Sequence, residues 1–149
     1  LGLGYAPEER RLIARFTVEE NLLLSMIALR QPAHLAKRRL EVIYGLMPEL
    51  TELRERPGGH LSGGQGKMVA LGRALMVGTR MVLLDEPGLA AGLAVKYADT
   101  LRRVREQRKE LALLIAESGP RLVHNLADHA LRIERGKVTA APVDMLAQI

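Results

Sequence analysis

Residues 81–87 read Met81-Val82-Leu83-Leu84-Asp85-Glu86-Pro87, four apolar residues running straight into two carboxylates and a proline. A continuous apolar run of this kind fits a central parallel strand buried on both faces. In open α/β sheets, ligands lie just beyond the carboxyl ends of the strands. Asp85 is then placed to hold Mg²⁺ through water. Glu86, pointing to the other side, is placed to polarise an attacking water. The plainer alternative is two exposed loop acids. The apolar residues feeding directly into Asp-Glu-Pro separate the two readings.

About twenty residues upstream the chain reads Leu61-Ser62-Gly63-Gly64-Gln65. Two glycines allow a tight turn and leave backbone amides uncovered by any Cβ. The helix that follows offers its positive end, equivalent to about half an elementary charge, and an anion belongs there. The alternative is a simple cap, with Ser62 closing the helix and the glycines shaping the turn. The five residues together, upstream of the Asp-Glu-Pro strand, point to the anion.

The remaining pattern alternates strand and helix. Residues 3–6 are a short strand stopped by Pro7. Thr17 and Glu20 form a capping box that opens a helix with Leu22, Leu23, Met26, Ile27 and Arg30 along one side, ended by Pro32. A second helix covers about 34–47, with a short helical turn at 49–55 and a loop at 56–59. The helix after the glycine turn spans about 63–77, with Met68, Leu71, Leu75 and Met76 as its buried stripe. Beyond the acidic strand come a helix over about 93–109, a buried strand from Leu111 to Ala116, and a helix from Pro120 to near Ala127. Strands 130–134 and 137–140 flank an Arg135-Gly136 turn, and a short helix starts near Pro142 with Asp144 in its first turn. This alternation predicts an α/β layer, and the mostly helical front third predicts a helical subdomain inserted into it.

Bulk properties bound the remaining choices. The 149 residues suffice for one domain with a core. There is no cysteine, which excludes disulfides and thiolate metal sites. No apolar run reaches the roughly 18–20 residues of a membrane span. His34, His60, His124 and His129 lack metal-ligand spacing, and His124 reads as a surface residue. The net charge of +5 could attract nucleic acid. Its densest cluster (Arg102, Arg103, Arg105, Arg108, Lys109) is interleaved with Glu106 and Glu110, as on a solvated helix face with local ion pairing. With one Phe, three Tyr and no Trp, stacking platforms for single strands are scarce. The opening Leu1-Gly2-Leu3-Gly4-Tyr5 lacks a Met and the plan of a signal peptide, and reads as a strand entered midway in a longer protein.

The glycine turn and the Asp-Glu strand end resemble the signature and Walker B motifs of the ATP-binding cassette (ABC) ATPases. The whole chain resembles the C-terminal two-thirds of such an ATPase. Gly4-Tyr5-Ala6-Pro7-Glu8, Phe16-Thr17-Val18-Glu19-Glu20-Asn21-Leu22 and Gly72-Arg73-Ala74-Leu75-Met76 add the flavour of the branched-chain amino-acid (or urea-type) importer ATPases. The resemblance implies a P-loop NTPase-like parallel sheet with an inserted helical subdomain (about 18–76) and an α/β core with a C-terminal part (about 1–17 and 77–149), lacking the N-terminal Walker A part. It implies ATP and Mg²⁺ as cofactors, and ATP hydrolysis coupled to transport in the complete protein. Ser62, Gly63, Gly64 and Gln65 would contact the γ-phosphate held by a partner subunit. Asp85 would support Mg²⁺, Glu86 would be the general base, and Glu8 would occupy the Q-loop position. The implied partners are a second ABC ATPase subunit, transmembrane permease subunits and, indirectly, a periplasmic or extracellular substrate-binding protein, with no nucleic acid. The implied location is the cytoplasmic face of the cell membrane, as a peripheral subunit.

Three departures from the family pattern stand out. No G-x-x-x-x-G-K-S/T loop occurs in residues 1–149, so this chain alone is expected to bind ATP weakly and not to hydrolyse it. Ser118 occupies the place of the switch histidine, and a hydroxyl cannot become a cation. The loop Gly88-Leu89-Ala90-Ala91-Gly92-Leu93-Ala94 lacks the acidic residue typical of the D-loop and reads as carrying a two-residue insertion. These departures keep open a non-catalytic module that only donates its signature face. A DNA-maintenance ABC ATPase would carry long coiled coils between Glu8 and Leu61. The roughly fifty residues there include Pro32, Pro48 and Pro57 and hold no heptad run.

Overall fold

Apolar strand segments and an apolar helix stripe have to be buried against each other. The computed structural model, which describes residues 2–88, 91–119 and 124–147, shows how. Strands β1 (Leu3–Ala6), β2 (Met81–Asp85) and β3 (Ala112–Ala116) form a parallel sheet in the order β1-β2-β3. The register aligns Tyr5 with Leu83 and Leu83 with Leu114, so the acidic strand is central, as expected. Strands β4 (Ala130–Glu134) and β5 (Lys137–Ala141) form a separate antiparallel hairpin, with Gly136 at φ 77° in its turn. The chain reaches β2 from β1 through α1 (Val18–Ala28), α2 (Ala33–Leu46), α3 (Pro48–Glu52) and α4 (Gly63–Val77), and reaches β3 through α5 (Ala91–Gln107).

Helix α4 is the centre of the core. Met68, Val69, Ala70, Leu71, Ala74, Leu75 and Met76 are all buried, a wider face than the expected stripe. One side of α4 lies on the sheet. A Cβ on Gly4 of β1 would sit 2.1 Å from the Ala74 carbonyl oxygen, so only glycine lets this strand and helix meet. The other side meets α1 and α2, where a Cβ on Gly72 would lie 2.8 Å from Leu22 Cδ2. Tyr97, Leu101 and Val104 of α5 join Val82 and Leu84 of β2 in the same cluster.

The expected capping box is present: the Glu20 amide donates to Thr17 Oγ1 (3.1 Å) and the Thr17 amide to Glu20 Oε2 (2.8 Å). The apolar side of α1 is narrower than expected. Ile27 is 67% exposed, and Arg30 lies past the helix end at φ 50°, also exposed. Ile27 lies within α1 but on its exposed side, and α1 stops at Ala28, before Arg30. The short turn at 49–55 is α3 together with the residues after it.

Burial of the sheet corrects a second expectation. Val82 and Leu84 are buried, but Met81 is partly exposed and Leu114 is 56% exposed. Among the described residues β2 buries side chains on one face only, and β3 buries none, with Leu113 and Ile115 half-buried against the core. The basic cluster on α5 is only partly a solvated face. Arg102 pairs with Asp99, and Arg105 with Asp128, rather than with Glu106 or Glu110. Half-buried Arg108 donates to the carbonyls of Leu75 (3.2 Å) and Gly78 (2.7 Å), satisfying the end of α4. The expected helix start at Pro120 lies outside the described residues; residues 124–126 form a 3₁₀ turn, and half-buried His124 sits in it. Residues 143–147 form a second 3₁₀ turn, with Asp144 at its start.

Candidate functional site

Parallel strands carry their carboxyl ends to one edge of the sheet. Glu8 follows β1, Asp85 and Glu86 end β2, and Glu117 and Ser118 follow β3. The topology thus gathers on one edge residues that lie more than a hundred positions apart in sequence. Each has a distinct setting there. Asp85 accepts a hydrogen bond from Tyr5 Oη (2.9 Å), and its other oxygen makes no hydrogen bond among the described residues. That bond raises the pKa of the Tyr5 phenol, because ionising it would set two negative charges side by side.

Glu86 leaves the strand at φ 43°, in the left-handed region that non-glycine residues seldom occupy. Its amide donates to Ala116 O (2.9 Å), continuing the ladder for one more residue. The turn swings its side chain to β3, where Oε2 accepts from Ser118 Oγ (3.1 Å) and the Ser118 amide (3.4 Å). The expected opposition of Asp85 and Glu86 therefore rests on backbone conformation as well as strand alternation. Glu8 is exposed.

The glycine turn is also built. Ser62 Oγ accepts from the Gln65 amide (3.2 Å), and Gln65 Oε1 accepts from the Ser62 amide (3.0 Å). The simple cap therefore exists, but it uses only two donors. The amides of Gly63 and Gly64, at the first helical positions, have no intrahelical acceptor and make no described hydrogen bond. The Arg10 guanidinium lies over this turn, with Nη1 at 3.5 Å from Gly63 O. Arg10 and Arg11 hold φ values of 64° and 47°. Arg73 of α4 fixes them by donating to Arg10 O (2.7 Å) and Arg11 O (2.8 Å). The cap thus leaves the Gly63 and Gly64 amides without an acceptor among the described residues.

These donors decide which cofactors fit. Among the described residues no three His, Asp or Glu side chains gather around a common point that could hold a metal. Asp85 can therefore orient a hydrated Mg²⁺ whose remaining ligands come from a nucleotide, but it cannot hold the ion alone. The Gly63 and Gly64 amides suit a phosphate oxygen.

With this geometry established, comparison with known proteins settles the family. The profile of the ABC transporter family matches residues 1–88. The chain belongs to the ABC transporter family. It is 33% identical over 138 residues to the high-affinity branched-chain amino acid transport ATP-binding protein BraG of Pseudomonas aeruginosa, covering 91% of this chain and 58% of that one. It is also 33% identical over 141 residues to the molybdenum import ATP-binding protein ModC of Methylococcus capsulatus, covering 93% and 38%. Among solved structures it resembles MJ1267, an ATP-binding cassette of an ABC transporter in its ADP conformation. The TM-score is 0.77 at 28% identity, over 99% of this chain and 65% of that one. The chain thus spans little more than half the length of BraG. The α/β architecture with its parallel sheet is that of an ABC ATPase domain.

Sequence reading passed over two groups at this ABC site. Glu117 lies one residue past the expected strand end at Ala116 and drew no role from the sequence. Its carboxylate packs against Gly88, where an added Cβ would lie 2.9 Å from Oε1, and its Oε1 accepts from the Gly119 amide (3.2 Å). Burial raises its pKa above the ordinary 4.5; the Gly119 amide opposes the shift, and the neighbouring Glu86 carboxyl adds to it. The folded chain therefore holds this proton more tightly than the unfolded chain does. The associated stability is full below pH 4.5 and is lost as pH rises through the raised folded value. Glu117→Gln escapes that loss. Urea midpoints measured from about pH 4 to about pH 7 should shift steadily in favour of the Gln variant; a gap that stays constant with pH would contradict the assignment. The second missed group is Lys67, a lone cation bordering the apolar run Met68–Leu71, and an amine so placed signals a tertiary acceptor.

Proposed function

We propose that this chain forms the signature- and carboxylate-bearing part of the ATPase subunit of an ABC importer, with branched-chain amino acids as its cargo. The observation that carries the reading is the strand edge itself. An acidic pair, one member braced by Tyr5 and the other by Ser118, stands on the same body as a turn with two unspent amides. The likeness to BraG supports the cargo, and the equal identity to ModC marks it as the finer part of the reading.

In this reading two ATPase subunits close on ATP, each signature turn facing the phosphates held by the other, and closure moves the attached permease. A substrate-binding protein delivers cargo to that permease. No helix of the described residues is long and apolar enough to cross a membrane, which suits a peripheral subunit on the cytoplasmic face. The Gly63 and Gly64 amides bind a phosphate oxygen. Asp85 orients a hydrated Mg²⁺, which supplies charge neutralisation on the phosphates. Glu86 takes a proton from the attacking water at a carboxylate oxygen, steadied by the Ser118 hydroxyl. Ser118 cannot carry positive charge, so the switch position contributes a hydrogen bond and no pH-dependent attraction. Glu8 stands at the Q-loop position, where it serves contact with the permease.

The same Ser118, together with the loop after Pro87, is the observation behind a second reading, a non-catalytic module that lends its signature face to an active partner. Titration of the 149-residue chain with a fluorescent ATP analogue tests the division of labour. Binding weaker than micromolar is expected, because residues 1–149 hold no phosphate-cradling loop. Micromolar affinity would overturn the assignment of the signature turn to a partner's nucleotide.

A further inference from the structure

The half-buried Lys67 is the fifth residue of α4, about 6 Å along the helix axis from Gly63 at 1.5 Å per residue. Its ammonium leaves α4 and crosses to the sheet edge. There Nζ donates to Glu86 O (2.5 Å) and Gly88 O (2.9 Å), the carbonyls on either side of Pro87. No carboxylate pairs with it among the described residues. Its charge is spent on two backbone dipoles that flank the left-handed Glu86.

A residue at φ 43° persists only where its surroundings fix it. Three hydrogen bonds do so: the Glu86 amide to Ala116 O, and the two from Lys67. Pro87 has no N–H and cannot add one. Without the ammonium, the carbonyls of Glu86 and Gly88 lose their common anchor, and the backbone at Glu86 is held from the β3 side alone. The carboxylate direction toward Ser118 depends on that backbone.

We propose that Lys67 is a positioning residue that aims the Glu86 carboxylate and ties that aim to the placement of the signature turn, since both ride on α4. It rests on the reading of Glu86 as the base. When the turn engages a neighbouring subunit's phosphate, the same helix carries the ammonium that sets the strand end. Seating of the phosphate and orientation of the base are then one motion.

The test uses Lys67→Met, which keeps the stem and removes the ammonium, and Lys67→Arg, which restores a cation with more than one donor. In the transporter complex containing this chain, Lys67→Met is expected to lower kcat for ATP hydrolysis by about 10²-fold, with the KM for ATP little changed. Lys67→Arg is expected to recover much of the loss. In the 149-residue chain, hydrogen exchange at the Glu86 amide should accelerate about ten-fold in Lys67→Met, with amides of α1 and β1 unaffected. Unchanged exchange at Glu86 would overturn the proposal, as would exchange accelerated throughout the chain or a KM that rises in step with the fall in kcat. Glu86→Gln serves as the separating control. If that variant still hydrolyses ATP, the assignment of the base fails, whereas the exchange result at Glu86 judges the Lys67 anchor independently.

Discussion

Glu86→Gln in the transporter complex stops turnover, lowering the single-turnover rate of phosphate release by about 10²–10⁴-fold while leaving affinity for ATP intact. The substitution keeps the shape of the side chain and its hydrogen bond from Ser118 Oγ, since an amide oxygen accepts as a carboxylate oxygen does. It removes the capacity to take a proton from water. Glu86 touches neither the glycine turn nor Asp85 through any described hydrogen bond, so groups that would bind phosphate or Mg²⁺ are unaltered. A trapped, nucleotide-bound complex is the expected product, visible as retained ATP after gel filtration. Release of phosphate at the parent rate would remove Glu86 from the chemistry and leave the non-catalytic module as the better account.

Asn21→Ala should cost about 3–4 kcal/mol of stability, read from urea denaturation at constant m-value. Asn21 is fully buried in α1, yet it is polar. Its Nδ2 donates to the carbonyls of Ile13 (3.1 Å), Phe16 (3.1 Å) and Thr17 (2.9 Å), and its Oδ1 accepts from the Ile13 amide (2.8 Å). One side chain thus replaces the secondary structure that residues 13–17 lack. That loop is laced in turn to the segment before the signature turn, through Val18 N to Arg56 O (3.0 Å) and Gly58 N to Phe16 O (2.8 Å). Truncation removes all four of these hydrogen bonds and leaves the Ile13 amide without its acceptor, which is why the loss exceeds that of one bond. Asn21→Asp keeps the acceptor and loses the donors, so it should be nearly as damaging. A loss below about 1 kcal/mol would mean that water or a shifted backbone takes the place of the amide.

The legible features share a physical origin. Thr17 with Glu20 is a local motif whose hydrogen bonds span three residues, and it is formed as read; the cap at Ser62, weighed as the plainer alternative, is formed as well, with Gln65 returning a second bond. The run Met81–Leu84 had to be a strand, and its parallel, central position followed from the alternation of strands and helices around it. The misjudged features depended on distant neighbours. Ile27 and Arg30 continue the periodic pattern of α1, but Ile27 lies on the exposed side of the helix and Arg30 beyond its end. Arg108 looks like one more surface charge until α5 is laid beside the end of α4.

Spacing and residue type alone fixed the glycine turn that opens α4, the acidic strand end and the kinship with ABC ATPases, because each is a short-range pattern written in consecutive residues. Folding in three dimensions decided what those groups lean on: Tyr5 on Asp85, Ser118 on Glu86, and Lys67 spanning from the signature helix to the carbonyls around Pro87. Such contacts join residues 19 to 80 positions apart. No local periodicity encodes them: strand pairing brings Tyr5 to Asp85 and Ser118 to Glu86, while the close approach of α4 to β1, allowed by Gly4, accompanies the reach of Lys67 to the strand end.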